Sequence, residues 1–198
     1  MEPITSLSQL DFGQSYTYAD YLNWQFSDYV ELVAGQVLTP MPGRSPRHQQ
    51  CLTSLMMPVR PFLKKRPEAM MQIPFDVCPA YQPGQTDAEI ITVVQPDLIV
   101  VRNPAKIAER GCFGAPDWVV EILSAGFTHR DTRLKFDLYE ANGVGEYWLV
   151  APGERTVLTY LLRNGRYQLA AEYAAPGPMP VATLPGLAVE WAEVFDES

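Results

Sequence analysis

Histidine is nearly missing from this chain and cysteine is sparse, and neither falls in a pattern that would build a site of its own. Among 198 residues there are two histidines, His48 and His129, and three cysteines, Cys51, Cys78 and Cys112. An odd number of widely spaced cysteines makes no disulfide framework, and no CxxC pair is present for zinc. Two histidines do not supply a histidine-rich zinc centre either. A metal, if one is held, would sit on oxygen ligands, which favours magnesium or manganese. Long hydrophobic runs are also missing. Nothing approaches the roughly 18 apolar residues of a membrane span, so no membrane association is expected. The opening MEPITSLSQLDFGQSYTY has no basic start followed by an apolar block, so no signal peptide is visible and the protein reads as cytoplasmic. Positive charge is short as well. Fifteen Lys and Arg against 23 Asp and Glu leave a net charge of −8, which counts against a broad attraction for polyanions. Local basic surface is still available. Arg60, Lys64, Lys65 and Arg66 form one run and His129, Arg130, Arg133 and Lys135 another, though both also read as ordinary solvated helix surface.

The remaining composition is that of a globular protein, 47% hydrophobic and 19% charged. The length points to a single α/β domain over residues 1–198, its core spanning about 17–195. Thr17 is placed to cap a short helix over Tyr18–Gln25, and Tyr29–Leu38 reads as two short strands around Gly35. After a loop over Pro40–Pro46, a helix is expected from His48 to Lys65, with Pro58 kinking or splitting it. Met70–Val77 reads as a strand whose Pro74 marks an edge or a bulge. Residues 79–92 and 103–115 read as loops on either side of a strand, Val93–Arg102. A central strand follows over Asp117–Leu123, then a turn with Thr128 as a cap, and a helix over Arg130–Asn142 that Gly143 stops. Glu146–Val150 is a strand, Thr156–Arg163 and Tyr167–Tyr173 a hairpin around Asn164-Gly165, and Pro176–Pro185 a Pro-rich loop. The tail, Leu187–Phe195, is a short strand and a docking helical turn.

One residue stands out against this pattern. Glu121 lies between Trp118-Val119-Val120 and Ile122-Leu123. An unpaired carboxylate inside an apolar strand costs roughly several kcal/mol, so such a group is normally protonated, ion-paired or metal-bound. The plainer reading is a half-exposed strand face with Glu121 pointing to water. Two other ionisable groups share its surroundings. Asp97 opens the preceding apolar strand, and strands adjacent in sequence commonly pair, so Asp97 and Glu121 could meet at one sheet end. Lys135 follows on the next helix, with Asp131 and Tyr139 at i−4 and i+4. As plainer alternatives, Asp97 is a turn residue after proline and Asp131–Lys135 a surface ion pair. Glu31 is a further acid among apolar neighbours. Asp97 and Glu121 also admit reading as the acid/base pair of a glycoside hydrolase, but the aromatic platforms that would need are not evident.

Beyond these spacings, the chain resembles the Uma-type putative restriction endonuclease family, within the restriction-endonuclease-like group marked by PD…(D/E)xK. Tyr29–Val37 resembles the family's opening "YELIDGE" segment, and Ser45-Pro46-Arg47-His48 its "SP-x-H" helix start. Pro96–Val101 is similar to "PDLVVV" and Pro116–Ser124 to "PDLVVEVLS". Asp131, Lys135, Tyr139, Gly143-Val144 and Glu146-Tyr147-Trp148 are similar to "D-x3-K-x3-Y…GV-x-EYW". The resemblance implies a restriction-endonuclease-like mixed β-sheet flanked by helices. It further implies a magnesium- or manganese-dependent endonuclease acting on phosphodiester bonds in DNA, and a homodimer as in related nucleases. Asp97, Glu121 and the main chain at Ile122 would be the metal ligands, and Lys135 and Glu31 would complete the catalytic set with them.

Three departures bear on that implication. The signature lysine two residues after Glu121 is replaced by Leu123, and Lys135 would substitute for it. Ala151-Pro152 stands where the family has Asp-Pro, a change of turn chemistry that leaves the site intact, and Ser124–Phe127 stands where it has a proline-containing turn. With the negative net charge, they leave a competing reading from another class, a nuclease-like domain that binds or assembles without cleaving.

Overall fold

The computed structural model describes residues 3–26, 30–38, 45–66, 68–124 and 129–195. Its elements run in the order α1 (Tyr18–Tyr21), β1 (Glu31–Val33), β2 (Gln36–Leu38), α2 (Pro46–Leu63), β3 (Met70–Gln72), β4 (Val77–Cys78), β5 (Leu98–Val101), β6 (Ile107–Ala108), β7 (Gly111–Phe113), β8 (Trp118–Ile122), α3 (His129–Ala141), β9 (Glu146–Ala151), β10 (Thr156–Arg163), β11 (Arg166–Tyr173), β12 (Pro178–Pro180), β13 (Ala188–Glu190) and α4 (Trp191–Phe195). A six-stranded sheet in the order β11-β10-β9-β8-β5-β3 forms the frame. Within this sheet only β8 and β9 pair in parallel, because α3 carries the chain back between them; its other pairs are antiparallel.

Both faces of this sheet are covered, which explains why β8 reads as a continuous apolar run. Trp118, Val120 and Ile122 point into a core with Cys51, Leu52, Leu55 and Val59 of α2 and with the C-terminal β13–α4 unit. Val119 faces the other way, into a second cluster with Tyr139 of α3, Tyr147, Leu149 and Cys112. A third cluster packs the N-terminal segment, with Tyr16, Tyr18, Leu32, Val93 and Cys78 at its centre. All three cysteines are free and buried, one in each cluster.

Several local expectations are met. Thr17 caps α1, accepting the Asp20 N–H, although that helix is shorter than anticipated. Gly143 stops α3 with φ +82°, and Asn164 and Gly165 turn the β10–β11 hairpin with φ +52° and +75°, the pair of left-handed residues a two-residue hairpin demands. β3 is the edge strand of the sheet, and the chain leaves it before Pro74.

Others are corrected. α2 begins two residues earlier than expected, with Ser45 accepting the His48 N–H and Pro46 in the first turn, where a missing N–H costs nothing. Pro58 and Pro61 lie inside α2 without splitting it. Each removes one helical bond, while Leu52, Leu55, Val59 and Leu63 hold the same side of the helix in the core. Residues 103–115 are not a plain loop: β6 and β7 form a small sheet with β4, in the order β4-β7-β6. Strands of two or three residues show no alternation to detect, and β7 pairs with a partner far away in the chain. The expected strand over Val93–Arg102 is divided, with Val93 and Val94 bridging to Leu32 and Val77 and only Leu98–Val101 joining the main sheet. The Pro-rich segment likewise contributes β12, paired with β13. The Thr128 cap, most of the 124–127 turn and most of the Pro40–Pro46 loop lie outside the described residues. No helix among the described residues is long and apolar enough to cross a membrane.

Candidate active site at one end of the central sheet

Antiparallel pairing of Leu98 with Val120 places Asp97, one residue before β5, opposite Glu121 near the end of β8. The side chain of Asp97 closes the gap: its Oδ2 accepts the Ile122 N–H at 2.8 Å. Asp97 and Glu121 thus share a sheet end as their spacing suggested, and both are buried, Glu121 to 2% exposure. The reading of Glu121 as a half-exposed residue pointing to water is overturned.

Lys135 provides the countercharge. Midway along α3 it points inward, not outward, and its Nζ donates to Glu121 Oε1 and to Glu31 Oε1, both at 2.9 Å. The basic run on α3 is therefore of two kinds. Arg133 pairs on the surface with Asp137 at i+4, whereas Lys135 is buried at 4% exposure. Its stripe-mate Asp131 is half-buried. The expectation of a superficial Asp131–Lys135 pair does not hold for the lysine end.

Glu31 is brought in by the β1–β2 hairpin, which docks through reciprocal main-chain bonds between Leu32 and Val93. Its Oε1 also accepts the Gln95 N–H at 2.7 Å. With 13% side-chain exposure it is more open than its two partners. The lysine is thus clamped between one carboxylate from the sheet and one from the N-terminal hairpin.

The electrostatics follow from this burial. Desolvation pushes the Glu121 carboxyl up to about 7, against the opposing pull of Lys135, while Glu31 and Asp97 add to the rise. Burial alone would lower Lys135, but the carboxylates of Glu121 and Glu31 outweigh it and hold the ammonium charged. Burial, and then the neighbouring Glu121, raise the Tyr139 phenol well above its usual range. It therefore stays a donor, and its hydroxyl meets Glu121 Oε1 at 2.6 Å.

Three participants had no role assigned from sequence. Tyr139 had a visible signal: it lies one turn after Lys135, on the same side of α3. His48 had a subtler one. It stands at i−4 and i−7 from Leu52 and Leu55, so it extends the apolar stripe of α2 into the core, where its Nε2 lies 3.1 Å from Asp97 Oδ2. Gln95 acts on Glu31 through its main-chain amide, for which side-chain patterns carry no signal.

Among the described residues, no group of three or more His, Cys, Asp or Glu is arranged to hold a metal ion. The chemistry of the donors nevertheless suits a hard divalent cation. Magnesium is commonly held by one or two carboxylates, with water and substrate phosphate completing the shell. Asp97 and Glu121 offer two carboxylates on neighbouring strands, and the Glu121 bonds to Lys135 and Tyr139 use Oε1 alone.

Comparison with known proteins bears on the fold and the family. The crystal structure of a "putative nuclease belonging to DUF820" from Anabaena variabilis ATCC 29413 superposes with a TM-score of 0.70, covering 91% of this chain and 97% of that one at 19% identity, so the two share a fold. No curated protein matches the chain. The profile of the Uma2 family, described as "Putative restriction endonuclease", matches residues 18–192. That span includes β1 through β13, hence Glu31, Asp97, Glu121 and Lys135 together: the chain belongs to the Uma2 family.

Proposed function

We propose that this protein is a divalent-metal-dependent endonuclease that hydrolyses phosphodiester bonds in DNA. The observation that carries this reading is the buried Glu121–Lys135–Glu31 cluster beside Asp97. A buried ammonium between carboxylates at a sheet end is costly to assemble and has no need to exist for packing alone. Asp97, Glu121 and the carbonyl of Ile122 would hold magnesium or manganese, which when bound supplies Lewis-acid polarisation of the phosphate and makes water more acidic. Lys135 takes the place of the lysine that Leu123 lacks, offering a fixed positive donor for an attacking water or for charge developing on the phosphate. Glu31 and Glu121 hold that donor in place, and Tyr139 holds Glu121. A homodimer presenting its basic helix surfaces around a shared cleft would reconcile a polyanionic substrate with the charge of −8.

The negative charge favours a second reading, a nuclease-like module that binds or assembles without cleaving. Supercoiled plasmid separates the two. With manganese or magnesium, the wild type is expected to nick it, and Asp97→Ala, Glu121→Ala and Lys135→Ala each to lose at least about 100-fold in rate while keeping a folded circular-dichroism spectrum. No nicking by the wild type, or unchanged nicking by Glu121→Ala, would leave the binding module as the better account.

A further inference from the structure

His48 is a buried polar side chain to which the reading above gives no task. It is 2% exposed in the first helical turn of α2. Its Nε2 faces Asp97 Oδ2 at 3.1 Å, and the same oxygen accepts the Ile122 N–H at 2.8 Å. A carboxylate oxygen that already accepts one N–H offers an acceptor to the imidazole nitrogen turned toward it. The other nitrogen, Nδ1, is buried with no hydrogen-bond partner among the described residues. Leaving a buried polar atom unmet is destabilising, a penalty that an apolar residue on this stripe would avoid. The ring is also held rigidly. Ser45 Oγ accepts the main-chain N–H of His48 at 3.2 Å, fixing the start of the helix that carries the ring, and Leu52, Leu55 and Val59 anchor that helix in the core. Asp97 is therefore gripped from two directions, by the β8 main chain and by a helix on the other side of the sheet end.

We infer that His48 is a positioning residue for Asp97: the contact of its Nε2 with Oδ2 and the bond from the Ile122 amide to the same oxygen fix the plane of the carboxylate, and so the geometry it presents to a divalent cation. The inference rests on the reading in which Asp97 holds that cation. Donors that orient a ligating carboxylate are commonly worth about 10–100-fold in metal affinity, and here α2, remote in sequence from β5, would supply one.

Manganese titration by calorimetry tests this on the wild type, Asp97→Ala, His48→Ala, His48→Gln and His48→Asn, with melting curves for each. The wild type is expected to bind and Asp97→Ala to lose binding. His48→Ala should weaken binding by about tenfold or more. His48→Gln, whose amide reaches near the Nε2 position, should recover most of it, and His48→Asn, which mimics Nδ1, should not. A packing role alone would make melting temperature and affinity fall together and would not favour Gln over Asn. In the metal-free wild type, nitrogen-resolved imidazole spectra should show His48 protonated at Nε2. Wild-type affinity in His48→Ala, with binding lost in Asp97→Ala, overturns the inference and leaves the nuclease reading standing. Should His48→Ala fail to fold, equal affinities for the Gln and Asn variants overturn it in the same way. No manganese binding by the wild type overturns both.

Discussion

Glu121 shows how one side chain can be legible in part. Its cost in an apolar strand was visible from its neighbours, and Lys135 was the right place to look for compensation, whereas Asp97 adds a like charge. What spacing could not supply was the sharing of Lys135 between two carboxylates, because Glu31 lies 104 residues away and arrives through tertiary docking. The same burial gives a pH signature. The folded-state carboxyl is raised from 4.5 to about 7, so between those values the folded protein binds more protons than the unfolded chain. Stability should accordingly fall as pH rises through that window, measured by urea unfolding against Glu121→Gln, which removes the titration. Manganese affinity should rise over the upper part of the same window, as the carboxylate ionises. Tyr139→Phe deletes the bond that pulls Glu121 downward, so both midpoints should move to higher pH. At alkaline pH that variant should lose about 1.5–3 kcal/mol, the usual worth of a hydrogen bond to a charged group.

At the level of elements, what could be read was whatever carried its own chemistry. Asn164-Gly165, Gly143 and Thr17 act through local backbone preferences, and all three sit where their residue types require. What escaped was structure defined by a distant partner: β6, β7 and β12 exist because β7 and β12 pair with β4 and β13, not because their residues prefer strands. Glu146 is the corresponding case for the C-terminal unit. Although it lies inside a strand like Glu121, it accepts the Trp148 indole N–H and the N–H groups of Ala182 and Thr183. It clamps the segment between β12 and β13 onto the main sheet. Glu146→Ala should cost roughly 3 kcal/mol by leaving buried donors unmet, and amide exchange at Ala182 and Thr183 should accelerate. The β1–β2 hairpin has its own weak point at Gly35, with φ +78° and a backbone against which a Cβ would collide with Ser15 Oγ. Gly35→Ala should destabilise by about 1–3 kcal/mol and loosen Glu31, so that an amine-specific label reaches Lys135 faster than in the wild type.

Over the whole molecule, the distribution of charge and core is what sequence totals conveyed least. A net −8 describes the sum, whereas the buried site sets one ammonium, Lys135, against the carboxylates of Glu31 and Glu121 beside Asp97, and exposed cations lie elsewhere, Arg133 on α3 among them. The interior divides into three clusters, and their division has a practical outcome. Each holds a single cysteine, and burial pushes the thiols of Cys78 and Cys112 up to about 12 and raises that of Cys51, so none reacts until its surroundings open. The protein therefore carries three internal clocks. Pulsed alkylation followed by peptide mass spectrometry should find Cys51, Cys78 and Cys112 modified at one common rate in mild denaturant, as a single cooperative unit requires. A faster Cys78 would instead date the opening of the N-terminal cluster, and with it the moment at which Glu31 lets go of Lys135.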